Sequence, residues 1–293
     1  MPAAGDFGGL LDALVGVSWP ARRPIGSGVA GSHPSRLRGM TAEFTEYRPY
    51  RQGDDPRRLD WKLLARTDRA YLRVTDDHAT RTTLLLVDAS ASMAFPSDSL
   101  AKWGQACRVA VGLAAVARRD GDPVGLFIAR EQGDARLPPS SRRLAIADII
   151  RTLGESAPRG SSPLASGLHG IRAGWRVAIV SDFLGDEPAL LRAARELIVN
   201  GVEVFAIHIV AAEEETPSAG VRLATDPEDN RVRRVLHEDV VSEYVLAFST
   251  WRASLADAWR RAGAEYSLAP AEEDAAAVIR RIARGLQLPS LTR

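Results

Sequence analysis

The stretch Leu84-Leu85-Leu86-Val87-Asp88-Ala89-Ser90-Ala91-Ser92 decides the fold of this 293-residue chain. It is an apolar run that ends in one carboxylate and two hydroxyls at alternating positions. A short apolar run bounded by polar residues is typical of a buried strand. In an open α/β sheet, ligands bind beyond the carboxyl ends of such strands. We therefore expect Asp88, Ser90 and Ser92 to lie close together at one edge of a sheet.

The sequence that follows repeats this strand pattern, with amphipathic segments in between. Strands are predicted at 83–88, 124–129, 176–181, 202–210 and 264–268, and helices at about 97–119, 142–153, 163–172, 187–200 and 272–286. Near-continuous apolar strands that alternate with helices indicate a doubly wound, mostly parallel sheet that is covered on both faces. The predicted fold class is therefore α/β.

The segments outside this regular pattern are predicted to be accessory regions. We divide the chain into a poorly patterned segment, 1–40, a segment rich in charged and aromatic residues, 41–82, and the α/β domain, 83–293. Within that domain, residues 213–239 break the rhythm and predict a β-hairpin insertion, which begins with a solvated loop at Glu213–Pro217. Acids nearly balance bases in the 41–82 segment, which favours a structural network of arginine–carboxylate pairs. A partner-docking surface is the alternative for that segment.

The composition argues against several classes of function. A net charge of +1 provides no general attraction to nucleic acid or to anionic membranes. Cys107 is the only cysteine and lies among small apolar residues, so we expect a core residue in a protein of a reducing compartment. No apolar stretch approaches the roughly 20 residues of a membrane span. The first 19 residues carry no basic side chain, unlike a signal peptide. We therefore expect a cytoplasmic protein.

Three polar loops are predicted to meet at the carboxyl edge of the sheet. The first is Asp88-x-Ser90-x-Ser92, the second is Gly160-Ser161-Ser162-Pro163-Leu164, and the third is Val180-Ser181-Asp182. Their oxygens suit Mg²⁺, which takes about six oxygen ligands and usually keeps several waters. We expect direct bonds from Ser90, Ser92 and Ser162, and bonds that are direct or water-mediated from Asp88 and Asp182. The alternative is that the first loop only caps the turn that follows it.

This set of residues resembles the metal-ion-dependent adhesion site of von Willebrand factor type A domains. The segment ahead of it resembles the signature of the bacterial domain-of-unknown-function family 58 (DUF58). The residues that carry this second resemblance are Arg38-Gly39, Glu43-Phe44, Arg48-x-Tyr50, Gly53-Asp54-Asp55-x-Arg57, Leu59-Asp60-Trp61, Ala65-Arg66-Thr67 and, downstream, Asp226-Pro227-Glu228. The resemblance covers the chain from about residue 30 to its end.

The resemblance implies a role in protein interaction. DUF58 proteins typically occur beside MoxR-type AAA+ ATPases and are thought to act with them in chaperone-like assembly or activation of other proteins. A type A site implies bound Mg²⁺, or Mn²⁺ or Ca²⁺, and an acidic side chain of a partner that completes the metal's ligands. This chain has Ser162 where type A domains usually have threonine. Serine keeps the hydroxyl but loses the methyl group that restricts its rotamer.

An enzyme is the main alternative, in the form of a metal-dependent hydrolase that uses Asp88 and Asp182. Phosphatases with an aspartate nucleophile at a strand end need a second aspartate two residues later, and this chain has Ser90 at that position. The sequence contains no G-x-S-x-G, no H-E-x-x-H and no G-x-x-x-x-G-K-[ST] motif. These observations favour a non-enzymatic binding protein.

Overall fold

The protein is represented by a computed structural model. It describes residues 7–22, 30–34, 44–51, 59–75, 78–131, 133–161, 163–185, 187–217, 222–225, 233–236 and 238–285. The contacts divide the chain into two compact units. One unit comprises residues 20–81, and the other combines the N-terminal residues up to Trp19 with the chain from Thr82 onward.

The described elements follow one another in this order: α1 (Phe7–Ala13), β1 (Ala30–Pro34), β2 (Phe44–Pro49), α2 (Trp61–Thr67), β3 (Tyr71–Thr75), β4 (His78–Ala79), β5 (Thr83–Asp88), α3 (Ala101–Arg119), β6 (Val124–Ala129), β7 (Ala135–Ser140), α4 (Ala145–Gly154), β8 (Arg176–Ser181), α5 (Glu187–Val199), β9 (Glu203–Val210), α6 (Ala212–Glu215), β10 (Arg222–Thr225), β11 (Arg233–Leu236), α7 (Glu238–Ala262), β12 (Glu265–Pro270) and α8 (Ala275–Arg284). Short 3₁₀ helices lie at Ala91–Ala94 and Leu164–Leu168. No described helix is long and apolar enough to cross a membrane.

The unit of residues 20–81 contains two small antiparallel pairs, β1 with β4 and β2 with β3. Asp60 caps α2, since its carboxylate accepts hydrogen bonds from the backbone N–H groups of Lys62 and Leu63. The predicted network pairs Arg48, Arg57 and Arg66 with carboxylates such as Asp54, Asp55 and Asp60. It stays a prediction, because Asp54, Asp55 and Arg57 lie outside the described residues.

The larger unit is built around a six-stranded sheet with the order β12-β9-β8-β5-β6-β7. All neighbours in it are parallel except β6 and β7, which are antiparallel. The predicted doubly wound, mostly parallel α/β sheet is therefore confirmed. The strand β7 was not predicted, and its sequence Ala-Arg-Leu-Pro-Pro-Ser contains two prolines. Proline lacks the N–H group that a central strand needs, but an edge strand such as β7 tolerates it.

Side chains of the central strand β5 point alternately into two separate cores. Leu85 and Val87 belong to the core that contains α1, α3, α4 and α8. Leu84 and Leu86 belong to the core that contains α5, α7 and the 3₁₀ helix Leu164–Leu168. The apolar run Leu84–Val87 is buried along its whole length, because helices cover both faces of the sheet.

Two segments differ from their predicted secondary structure. The predicted helix 163–172 is only the 3₁₀ helix Leu164–Leu168. A Cβ atom at Gly167 would collide with the side chains of Leu86 and Phe127, which shows how closely this segment packs on the sheet. The predicted solvated loop Glu213–Pro217 was wrong, because most of it belongs to the short helix α6. Beyond α6, β10 pairs with β11 in the antiparallel sense expected of a hairpin.

A buried ion network lies at the amino edge of the parallel strands. Arg176, the first residue of β8, is fully buried and lies 3.7 Å from Asp122 and 3.6 Å from Glu203. Its guanidinium donates a hydrogen bond of 2.8 Å to the carbonyl of Trp19 and lies 4.1 Å from the centre of that indole ring. Arginine suits this position because its planar cation both pairs with carboxylates and stacks on aromatic rings.

We expect Arg176→Met to lower the free energy of unfolding by about 3–5 kcal/mol, because it strands the buried carboxylates of Asp122 and Glu203. Urea denaturation monitored by circular dichroism measures this change. Arg151→Ala is the matched control, because the Arg151 side chain is 60% exposed and its ion pairs lie on the surface of α4. The control should change the free energy of unfolding by less than about 1 kcal/mol. Equal effects of the two substitutions would contradict the assigned role of Arg176.

Candidate metal site

The first two predicted loops are joined by backbone hydrogen bonds at the carboxyl edge of the sheet. The N–H group of Ala91 donates to the carbonyl of Gly160 over 2.8 Å, and the N–H group of Arg159 donates to the carbonyl of Ala89 over 2.9 Å. Gly160 has a φ of +64°, in the left-handed region where glycine carries no Cβ penalty. The loop that contains Ser161 is thereby held beside the loop that contains Ser90.

The carboxylate of Asp88 is buried and accepts a hydrogen bond on each oxygen. Oδ1 accepts from the N–H group of Ser90 over 2.8 Å, and Oδ2 accepts from the hydroxyl of Ser181 over 2.6 Å. The Ser181 hydroxyl in turn accepts from the N–H group of Phe183 over 2.9 Å. Burial, and then the negative charge of Asp182, raise the pKa of Asp88 above its ordinary value. A nearby cation would stabilise the ionised form.

Asp88 and Ser90 open onto a cleft of about 300 Å³ that is lined by both polar and apolar residues. Its polar lining consists of Asp88, Ser90, Ser161, Ser181 and Glu187, and its apolar lining includes Pro163, Leu164, Phe183 and Leu190. Burial raises the pKa of Glu187, the first residue of α5. The lining of the cleft therefore combines oxygen ligands for a cation with apolar side chains.

Only some of the predicted ligands line the cleft. Asp88 and Ser90 line the cleft, and the hydroxyl of Ser92 lies 3.0 Å from that of Ser90. Ser162 lies outside the described residues, so its predicted role stays a prediction. Asp182 does not line the cleft, and its carboxylate is held by a side chain that sequence analysis did not identify as part of the site.

That side chain is Lys102, in the first turn of α3. It is fully buried, and its ammonium donates to Oδ2 of Asp182 over 2.6 Å and to Oε1 of Glu214 over 2.7 Å. Burial by itself would lower the pKa of Lys102, but the two carboxylates outweigh this effect and raise it. The other oxygen of Asp182, Oδ1, accepts from the N–H group of Leu184 over 3.2 Å. Lys102 therefore remains charged between two carboxylates.

Glu214 was not predicted to belong to the site, because it lies in an acidic run that is typical of a solvated loop. In the structure its side chain is only 13% exposed, and burial raises its pKa. Its second carboxylate oxygen accepts from the N–H group of Ala211 over 2.9 Å, which ties α6 to the end of β9. The available signal was Lys102 itself. A single lysine among the small apolar residues of α3 indicates that an acidic side chain is buried beside it.

His208 on β9 is a buried core residue. Its Nδ1 atom lies 2.6 Å from the hydroxyl of Tyr266, and Phe183 and Trp251 pack against its ring. Burial lowers its pKa to about 3, while Asp182 acts in the opposite direction and Lys102 in the same direction. The ring is therefore neutral near pH 7 and serves as a packed, hydrogen-bonded part of the site's support.

The oxygen donors on the cleft fit a hard divalent cation. A carboxylate has about four lone-pair sites, and the hydrogen bonds to Asp88 come from Ser90 and Ser181. Within the described ranges, no group of three or more His, Cys, Asp or Glu side chains is arranged to hold a metal. Serine hydroxyls, waters and a group from another molecule would therefore have to complete the ligands of a cation beside Asp88.

The low pKa of His208 predicts a loss of stability in acid. The unfolded chain takes up a proton near pH 6.5 that the folded protein binds only near pH 3, so the free energy of unfolding falls as pH drops through this window. His208→Phe combined with Tyr266→Phe removes the ring and its hydrogen-bond partner together. Between pH 6 and 5, the wild type should lose about 1 kcal/mol more than this variant in urea denaturation. Parallel pH profiles for the two proteins would contradict this result.

The sequence matches the family described as "Protein of unknown function DUF58" over residues 46–249. It is 28% identical over 268 residues to the uncharacterized protein Rv1480 of Mycobacterium tuberculosis, and the match covers 87% of this chain and 83% of the relative. A counterpart from Mycobacterium bovis, uncharacterized protein Mb1516, matches with the same identity and coverage.

Solved structures with a related arrangement share little sequence with this chain. The conserved hypothetical protein BatB from Bacteroides thetaiotaomicron has 16% identity and a TM-score of 0.43, covering 70% of this chain and 97% of its own. The SpRpn10 VWA domain has 17% identity and a TM-score of 0.34, covering 45% and 76% respectively. Proximal thread matrix protein 1 from the mussel byssus, described with a zinc-occupied MIDAS motif, has 19% identity and a TM-score of 0.35, covering 44% and 38%. Since these TM-scores are low, the fold assignment rests on the sheet topology itself.

Proposed function

We propose that this chain, which belongs to the DUF58 family, is a non-enzymatic protein-interaction module that binds its partners through a divalent cation. The observation that carries the proposal is the cleft onto which Asp88 and Ser90 open, whose lining combines carboxylate and serine oxygens with apolar side chains. The cation would be Mg²⁺, or Mn²⁺ or Ca²⁺, all of which prefer oxygen ligands.

Each residue has a distinct role in this proposal. Asp88 supplies the negative charge, and Ser90 and Ser92 supply neutral oxygens from the same loop. Ser162 would add a hydroxyl from the second loop. A site with so few carboxylates leaves the bound cation short of negative charge, so that an acidic side chain of a partner completes its ligands. The apolar side chains that line the cleft would pack against the neighbours of that acidic residue.

The proposed partner is a MoxR-type AAA+ ATPase in the cytoplasm, with which the chain would act in chaperone-like assembly or activation of other proteins. This part of the proposal rests on the DUF58 resemblance rather than on the geometry of the cleft. The chain contains no P-loop motif, so ATP hydrolysis would be supplied by the partner.

We expect Asp88→Asn to abolish Mn²⁺ binding in titration calorimetry, because it removes the charge of the central ligand but keeps its shape. Binding of a MoxR-type ATPase should weaken at least tenfold in the variant, and in the wild type when EDTA is added. Asp98→Asn is the matched control, because Asp98 is an exposed aspartate of the segment that follows the first loop. The control should behave as the wild type.

Two other results would replace the proposal. Partner binding that is unchanged by both EDTA and Asp88→Asn would indicate a structural scaffold without a working metal site. Hydrolysis of phosphate or ester substrates by the purified protein, lost in Asp88→Asn, would indicate the metal-dependent hydrolase that uses Asp88 and Asp182.

A further inference from the structure

We infer that Lys102 sets the metal affinity of the proposed cation site, because it is an internal cation that keeps Asp182 from bonding to a divalent metal. The inference rests on the proposed function and deepens it, since it identifies which of the two strand-end aspartates is free to bind a cation. Asp88 opens onto the cleft, whereas Asp182 faces an ammonium group.

The geometry supports this assignment. The ammonium of Lys102 lies 2.6 Å from Oδ2 of Asp182, which is the distance of a direct charge-assisted hydrogen bond. Oδ1 of the same carboxylate accepts from the N–H group of Leu184. A divalent cation bonded directly to Asp182 would therefore lie within a few ångströms of a buried positive charge, and the repulsion between them is strong where water is excluded.

The ammonium is also held from its other side. Glu214 accepts from Lys102 over 2.7 Å with one carboxylate oxygen, while its second oxygen accepts from the N–H group of Ala211. Displacing the ammonium from Asp182 would leave Asp182 and Glu214 close together as buried carboxylates, which is costly unless a new cation replaces it. A metal ion and the ammonium are therefore alternative occupants of the same carboxylate.

The choice of lysine is itself informative. Lys62 and Lys102 are the only lysines in a chain with 38 Lys and Arg residues. Lys62 is exposed, whereas Lys102 is fully buried. An ammonium is a compact point charge, whereas a guanidinium is a broad planar fork. A compact cation surrounded by carboxylate oxygens occupies the kind of position that a metal ion takes.

The consequence is that Asp88 is the one charged side chain left among the predicted ligands of the cation. Affinity for a divalent cation rises with the number of charged ligands, so withholding Asp182 keeps the metal weakly bound in the free protein. The acidic side chain of a partner then contributes a larger share of the total ligand charge. Lys102 thereby makes retention of the cation dependent on the partner.

The test measures Mn²⁺ affinity by titration calorimetry and by the electron paramagnetic resonance signal of free Mn²⁺. Lys102→Met combined with Glu214→Gln frees Asp182 while the net charge of the three-residue cluster stays at −1, so this variant is expected to fold where Lys102→Met alone strands two carboxylates. It should bind Mn²⁺ about tenfold more tightly than the wild type, because a second charged ligand becomes available. Adding Asp182→Asn should remove the gain, and the exposed control Lys62→Met should match the wild type.

The outcomes separate this inference from the proposed function. An affinity of the double variant equal to or below that of the wild type overturns the role of Lys102, even if the wild type binds Mn²⁺ as proposed. Binding by the double variant but not by the wild type overturns the proposed cation site of the native protein and supports the role of Lys102. Absence of Mn²⁺ binding in both proteins overturns both.

Discussion

Each edge of the parallel strands contains a cation between two carboxylates, and the arrangement of the larger unit depends on this compensation of buried charge. At the amino edge, Arg176 lies between Asp122 and Glu203. At the carboxyl edge, Lys102 lies between Asp182 and Glu214. Charges of this kind are costly to bury unless they are paired and hydrogen-bonded. The sheet and the helices that contribute these residues must therefore keep their relative positions for the pairs to persist.

The two buried cations, Arg176 and Lys102, make different kinds of contact. The guanidinium of Arg176 stacks on Trp19 and donates to its carbonyl, so it connects the N-terminal segment to the start of β8. The ammonium of Lys102 has no planar face to stack, and it joins α3 to the end of β8 and to α6. The first ion group therefore connects elements of the fold, whereas the second includes Asp182, whose charge acts on Asp88.

Asp88 stands apart from both groups. Its hydrogen bonds come from neutral donors of Ser90 and Ser181. Burial and the charge of Asp182 together raise its pKa. The two strand-end aspartates, equivalent in the sequence pattern, are thus different in the folded protein. Asp182 is paired with Lys102, whereas Asp88 faces the cleft, where the proposed cation from solution would balance its charge.

The amino-acid sequence by itself determined the central strands, the doubly wound sheet and the edge at which Asp88, Ser90 and Asp182 meet. These features follow from the period of apolar residues and from the convergence of parallel strand ends, both of which are local or topological. The edge strand β7 escaped prediction because its prolines mask the strand pattern. Only the tertiary structure decided the partners of Asp182, since Lys102 lies 80 residues before it, and Glu214, which shares that lysine, lies 112 residues beyond Lys102. Such pairs depend on how helices pack against the sheet, and no periodicity along the chain encodes the distance between side chains that packing brings together.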